Sequence, residues 1–68
     1  MTMEAVNSLG HTILRVTKLE DILSVDQIKS LAKFGYTFRV NGKPVTPENA
    51  YAEAVGAAIR ERINNNGQ

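Results

Sequence analysis

The residues of this chain that could do chemistry are few, and their spacing favours binding over reaction. His11 is the only histidine and cysteine is absent. A lone imidazole works as a general base only beside a nucleophile. Thr12 adjoins His11 and Ser8 is the nearest serine, a pairing with no nucleophile–base pattern. Ser24 and Thr46 read as helix caps. Glu20, Asp21 and Asp26 are close enough in sequence to suggest a hard-cation site, but they match no calcium loop. Glu20 and Asp26 suit the first turn of a helix, where a negative charge meets free N–H groups. One histidine without cysteine excludes a zinc site. Gly35 and Gly42 read as a helix stop and a turn rather than a phosphate loop. No catalytic residue, metal site or cofactor is therefore expected, no small-molecule substrate is implied, and the chain reads as a non-enzyme.

Two other constellations point to macromolecular contacts. Lys29, Lys33, Arg39 and Lys43 lie in a stretch without acids, interleaved with Phe34, Tyr36 and Phe38. Cations attract phosphate and aromatic faces stack on unpaired bases, so the stretch could meet nucleic acid or an acidic partner. The bland alternative is a solvated helix face, with Tyr36 and Phe38 turned into the core. The second constellation is Ala50, Ala54, Ala57 and Ala58 near the C-terminus. Small residues let a second helix approach closely, which makes this flank the expected self-association face.

A chain of 68 residues with 43% apolar and 22% charged composition has room for one domain with a slight core. Domains this small are usually pinned by disulfides, a metal or a partner chain. With sulfur and metal excluded, a partner remains. The net charge of +1 favours no partner class. The first residues lack a basic start, so no signal peptide is expected. No stretch reaches the ~20 apolar residues of a membrane helix. A cytoplasmic location and no membrane contact are the expectations.

Hydrophobic period and turn chemistry place the elements. Residues 1–10 read as a partly ordered arm, and 11–68 as a single α+β domain. His11–Val16 is β-branched and suits a strand, with Leu14 and Val16 on one face. Thr17–Glu20 and Ser24–Gln27 both match a capping box. The apolar stripe Val25–Ile28–Ala32 excludes Leu19 and Leu23, which predicts a single turn over 18–23 and then a helix over 25–34. Gly35 stops that helix. Tyr36–Val40 alternates and precedes Asn41-Gly42, a strong hairpin signal. Pro44 confines the returning arm to a sheet edge. Thr46-Pro47-Glu48 starts a last helix that runs to about Asn64, with Tyr51, Ala52, Val55, Ile59 and Ile63 as its expected core stripe. The expected fold is a small three-stranded sheet with two helices, in the order β-α-β-β-α.

The segment Lys18–Val45 slightly resembles the small RNA-binding domain of a ribosomal small-subunit protein and of pseudouridine synthases. The resemblance lies in K-L-E-D-I-L, S-V-D-Q-I-K-S-L-A-K-F-G and V-N-G-K-P-V. That family carries a basic residue after the helix-starting Ser, where this chain has Val25 and Asp26. The resemblance implies nucleic-acid contacts at Lys29, Lys33, Arg39 and Lys43, and this is the runner-up function. The leading expectation is a small regulatory or adaptor protein that binds another protein and associates with itself as a homo-oligomer, in the manner of a phage- or plasmid-type modulator or inhibitor. Its expected contacts are the alanine flank, the hairpin edge Lys43–Thr46, and the arm with Met1, Met3, Val6 and Leu9.

Overall fold

A computed structural model describes residues 1–66. Four strands and two helices are arranged β-β-α-β-β-α: β1 Met3–Val6, β2 Thr12–Val16, a 3-10 turn Leu19–Asp21, α1 Val25–Lys33, β3 Thr37–Val40, β4 Lys43–Val45 and α2 Pro47–Asn66. The sheet is antiparallel throughout, with strand order β2-β1-β3-β4. The α+β class holds, while the expected three strands become four.

The extra strand comes from the expected arm. Met3–Val6 pairs with both β2 and β3 and lies in the interior of the sheet. Met3 and Val6 are buried, so they offer no loose apolar contacts. The loop after β1 is built by Asn7. Its side-chain oxygen accepts from the Leu9 and His11 amides at 3.0 and 2.9 Å, and Gly10 takes a left-handed φ of 85°. The other end of β1 is fastened across the sheet. Asn41 donates its amide to the Thr2 carbonyl at 2.7 Å, and its side chain accepts from the Thr2 amide at 2.9 Å.

Local signals set the remaining boundaries. The Gln27 amide donates to the Ser24 hydroxyl at 3.1 Å and the Gln27 side chain accepts from the Ser24 amide at 2.9 Å. Both halves of the capping box are thus made, and Ser24→Ala should cost about 1 kcal/mol of stability, measured as a lower urea midpoint at unchanged slope. Thr17 makes no such box: Lys18 precedes the 3-10 turn without a side-chain cap. After α1, the Tyr36 amide donates to Leu31 and the Gly35 amide to Ala32, with Gly35 at φ 87°. This is the paired-bond helix stop that only a residue tolerant of positive φ permits. Asn41 and Gly42, at φ 52° and 80°, make the β3–β4 turn. At the start of α2 the Asn49 amide donates to the Thr46 carbonyl. The predicted polar stop after Asn64 includes Gly67, which lies outside the described residues, as does the end of the predicted 11–68 domain.

Strand alternation decides where the core forms. Met3 and Ala5 of β1, Val16 of β2, and Phe38 and Val40 of β3 share one sheet face. Ile28 of α1 and Ala50, Ala54 and Ala57 of α2 join the same buried cluster. Both helices therefore cover that face. Glu4, Val6, Arg15, Thr37 and Arg39 occupy the other phase, where no helix packs; Arg15, Thr37 and Arg39 are exposed, Glu4 is half-buried and Val6 is buried.

The two sheet edges differ. β4 carries Pro44, which has no N–H to offer, and an exposed Lys43. β2 has neither proline nor lysine and is exposed at four of its five residues, Ile13 and Leu14 among them.

Candidate functional site

The packing of α2 determines what this protein presents to its surroundings, and it reverses the expected assignment. Ala50 and Ala54 are fully buried and Ala57 is 2% exposed. These three residues line the floor of the core, so the self-association flank assigned to them is consumed by the chain's own fold. Only Ala58 of that set keeps partial exposure. The expected core stripe faces outward instead: Tyr51 is 42%, Ile59 45% and Ile63 62% exposed, with Val55 half-buried between them.

The physical reason is size. The sheet face already carries Phe38, Met3 and Val40, and α1 adds Ile28. Interiors pack at crystal-like density, so large residues on one layer call for small ones on the next. Alanine lets the axis of α2 come close to these side chains, whereas Ile59 in the same place would hold it away. At 100° per residue, the row Tyr51–Val55–Ile59–Ile63 is centred roughly 150° around the helix from the buried alanines.

Helix length adds to this exposure. Twenty residues span about 30 Å, yet among residues 47–63 of α2 the last buried position is Ala57. The molecule extends 41 × 21 × 17 Å with a radius of gyration of 12.0 Å, against about 11 Å for a compact chain of this length. Two features hold the distal part of α2. The Met1 amino group pairs with Glu61. The 3-10 turn lies alongside, leaving a groove of ≈ 320 Å³ bordered by Lys18, Leu19, Glu20, Ala58, Ile59 and Arg62.

The basic set does not form one surface. Lys29 and Lys33 are exposed on α1, in the helix layer. Arg39 projects from the open sheet face, on the opposite side of the molecule. Lys43 is paired with Val40 at the β4 edge. The interleaved aromatics disperse as well: Phe38 is 1% exposed in the core and Tyr36 packs against it, while Phe34 is 80% exposed at the end of α1. On the open face Glu4 is the cross-strand neighbour of both Arg15 and Arg39, and Arg15 donates to Glu4 at 3.2 Å. Such an exposed pair contributes ~0.2–1 kcal/mol.

His11 is exposed at the end of the β1–β2 loop, and Ser8 is exposed within it. Among the described residues no group of three or more His, Asp or Glu side chains could hold a metal ion. Glu20 and Asp21 sit in the 3-10 turn and Asp26 in the first turn of α1. Among the described residues no helix is long and apolar enough to cross a membrane.

The class defined by these features is a small α+β protein: a four-stranded antiparallel sheet, two helices on one face, and an apolar helix row facing outward. Comparison with known protein families, with curated proteins and with solved structures gives no match for this chain.

Proposed function

We infer that this is a small non-enzymatic regulatory or adaptor protein that acts by binding protein, a second copy of itself included. One observation carries the reading. Tyr51, Val55, Ile59 and Ile63 form a continuous apolar row on the outer side of α2, while the core is filled by alanine from the inner side. Removing such residues from water stabilises an association by about 25 cal/mol per Å² of apolar area, and a contiguous exposed patch of this kind marks a contact surface. The alternative, nucleic-acid binding through Lys29, Lys33, Arg39 and Lys43, has less support. Its cations lie on opposite sides of the molecule, and Phe38 is enclosed.

A photoreactive residue at Ile63, introduced in the native host, tests the reading. The expected result is a protein adduct of defined mass, far more abundant than that from the same probe at Thr37 on the open face. Nucleic-acid adducts would overturn it in favour of the alternative. So would steeply salt-dependent retention on single-stranded nucleic acid that disappears in Lys29→Glu/Lys33→Glu.

A further inference from the structure

We propose that two copies of this chain pair through their α2 helices, antiparallel and centred on Val55. The proposal rests on the protein-binding reading above and adds the occupant and the register. Three observations on one helix face converge on it.

The first is the apolar row itself, exposed at Tyr51 and Ile59 with Val55 between them. The second is charge. Glu48 and Arg62 lie on the same face, seven residues on either side of Val55, with Glu48 ahead of the row and Arg62 in its last turn beside Ile63. An antiparallel two-fold axis through Val55 sets Val55 against the partner's Val55 and Tyr51 against the partner's Ile59. It also sets Glu48 against the partner's Arg62, and every unlike pair occurs twice because the contact is isologous. A parallel arrangement in the same register would oppose like charges at both ends. Antiparallel helices also align their dipoles favourably. Ala52 and Ala58 flank the row on either side of Val55, and small residues at the borders of the contact permit an interaxial distance near the lower end of the ~8–10 Å range.

The third observation is the groove between the 3-10 turn and α2. It borders Ile59, the residue that receives the partner's Tyr51. The incoming ring enters between Leu19 and Ile59, with its hydroxyl directed at the polar rim of Lys18 and Glu20. An aromatic anchor in a half-formed pocket is the kind of contact that concentrates binding energy. The interface is one helix wide, at the low end of the area range for specific complexes, so a micromolar dimer is expected.

The chain has no cysteine, which makes a crosslinking test clean. Val55→Cys places two thiols across the two-fold axis, within reach of a disulfide. Glu53→Cys lies on the same helix, turned roughly 160° away. Mild oxidation should convert Val55→Cys to a covalent dimer and leave Glu53→Cys monomeric. In sedimentation equilibrium of the full chain, Val55→Glu should weaken dimerisation at least ~30-fold and Glu48→Arg about tenfold. The swap Glu48→Arg/Arg62→Glu should restore the affinity to within about threefold. Circular dichroism confirms that each variant is folded. All substituted positions are outside the buried core, so folding should survive. A dimer that persists in Val55→Glu uses another surface and overturns the proposal. So does a chain that stays monomeric to hundreds of micromolar with no crosslink at Val55→Cys. If the Ile63 probe still captures a different protein in that case, the dimer fails while the protein-binding reading stands. If the probe captures no protein either, both fail.

Discussion

Ala54→Glu should unfold this protein, whereas Ala52→Glu, two residues earlier on the same helix, should leave it intact. Ala54 has no exposed surface and belongs to the cluster that contains Phe38 and Ile28. A glutamate there adds volume to a filled layer, at ~1–3 kcal/mol. It also strands a carboxylate away from any partner, at a further several kcal/mol. The whole stability expected of a domain this small is only about 3–5 kcal/mol. Ala52 is exposed, and a surface substitution there should stay within about 0.5 kcal/mol. Thermal melts followed by circular dichroism distinguish the two. If Ala54→Glu melted like the parent and Ala52→Glu collapsed, α2 would be rotated, with its large residues inward, and both the binding face and the dimer register would be wrong.

The second large effect is expected at Phe38. It is among the largest fully buried side chains and sits on the interior strand β3 between the sheet and α2. Phe38→Ala removes a ring at the centre of the core and should cost ~3–5 kcal/mol. In a domain of such low reserve, a large fraction of molecules should be unfolded without denaturant. Phe34→Ala removes the same ring from a site that is 80% exposed and should change the urea midpoint hardly at all. Together the two variants separate the aromatic that holds the fold from the one that stands outside it. Equal effects at both positions would contradict the assigned strand phase of β3.

The inward phase of Phe38 is legible from the alternation of Tyr36–Val40, and so are most element boundaries, whereas nothing in the alternation places Phe34. Ser24 with Gln27, Gly35, Pro47 and the turn dihedrals of Asn41-Gly42 all act within a few residues of themselves. Their meaning does not depend on the rest of the chain. The first strand was not legible for the opposite reason. Met3-Glu4-Ala5-Val6 is short and mixed, and what orders it is remote: β2 on one side, β3 on the other, and Asn41 bonded to Thr2 across 39 positions. A signal was present in Asn7 and Gly10, which close the β1–β2 loop much as Asn41 and Gly42 close the next one.

The existence of the last helix follows from its sequence, and its orientation does not. It is apolar on two sides: small residues on one, large residues on the other. Periodicity identifies faces but carries no information on which face fits. That is decided by the volume left free by Phe38, Met3 and Ile28, a property of three other elements. The candidate site follows the same exchange: Ala50, Ala54 and Ala57 form the interior, while Tyr51, Ile59 and Ile63 form the surface. Lys29, Lys33, Arg39 and Lys43 are all exposed, but sequence adjacency does not reveal that β3 turns Arg39 away from α1.

The unlike borders of the sheet have a consequence for assembly under stress. A strand added along β2 finds an unobstructed row of backbone donors and acceptors, so two destabilised chains could fuse there into one eight-stranded ribbon. The rims of that ribbon would both be β4, where Pro44 has no hydrogen to give and Lys43 adds a charge. Stacking by this route therefore terminates at two molecules, and an open-ended fibril would first require the loss of Pro44.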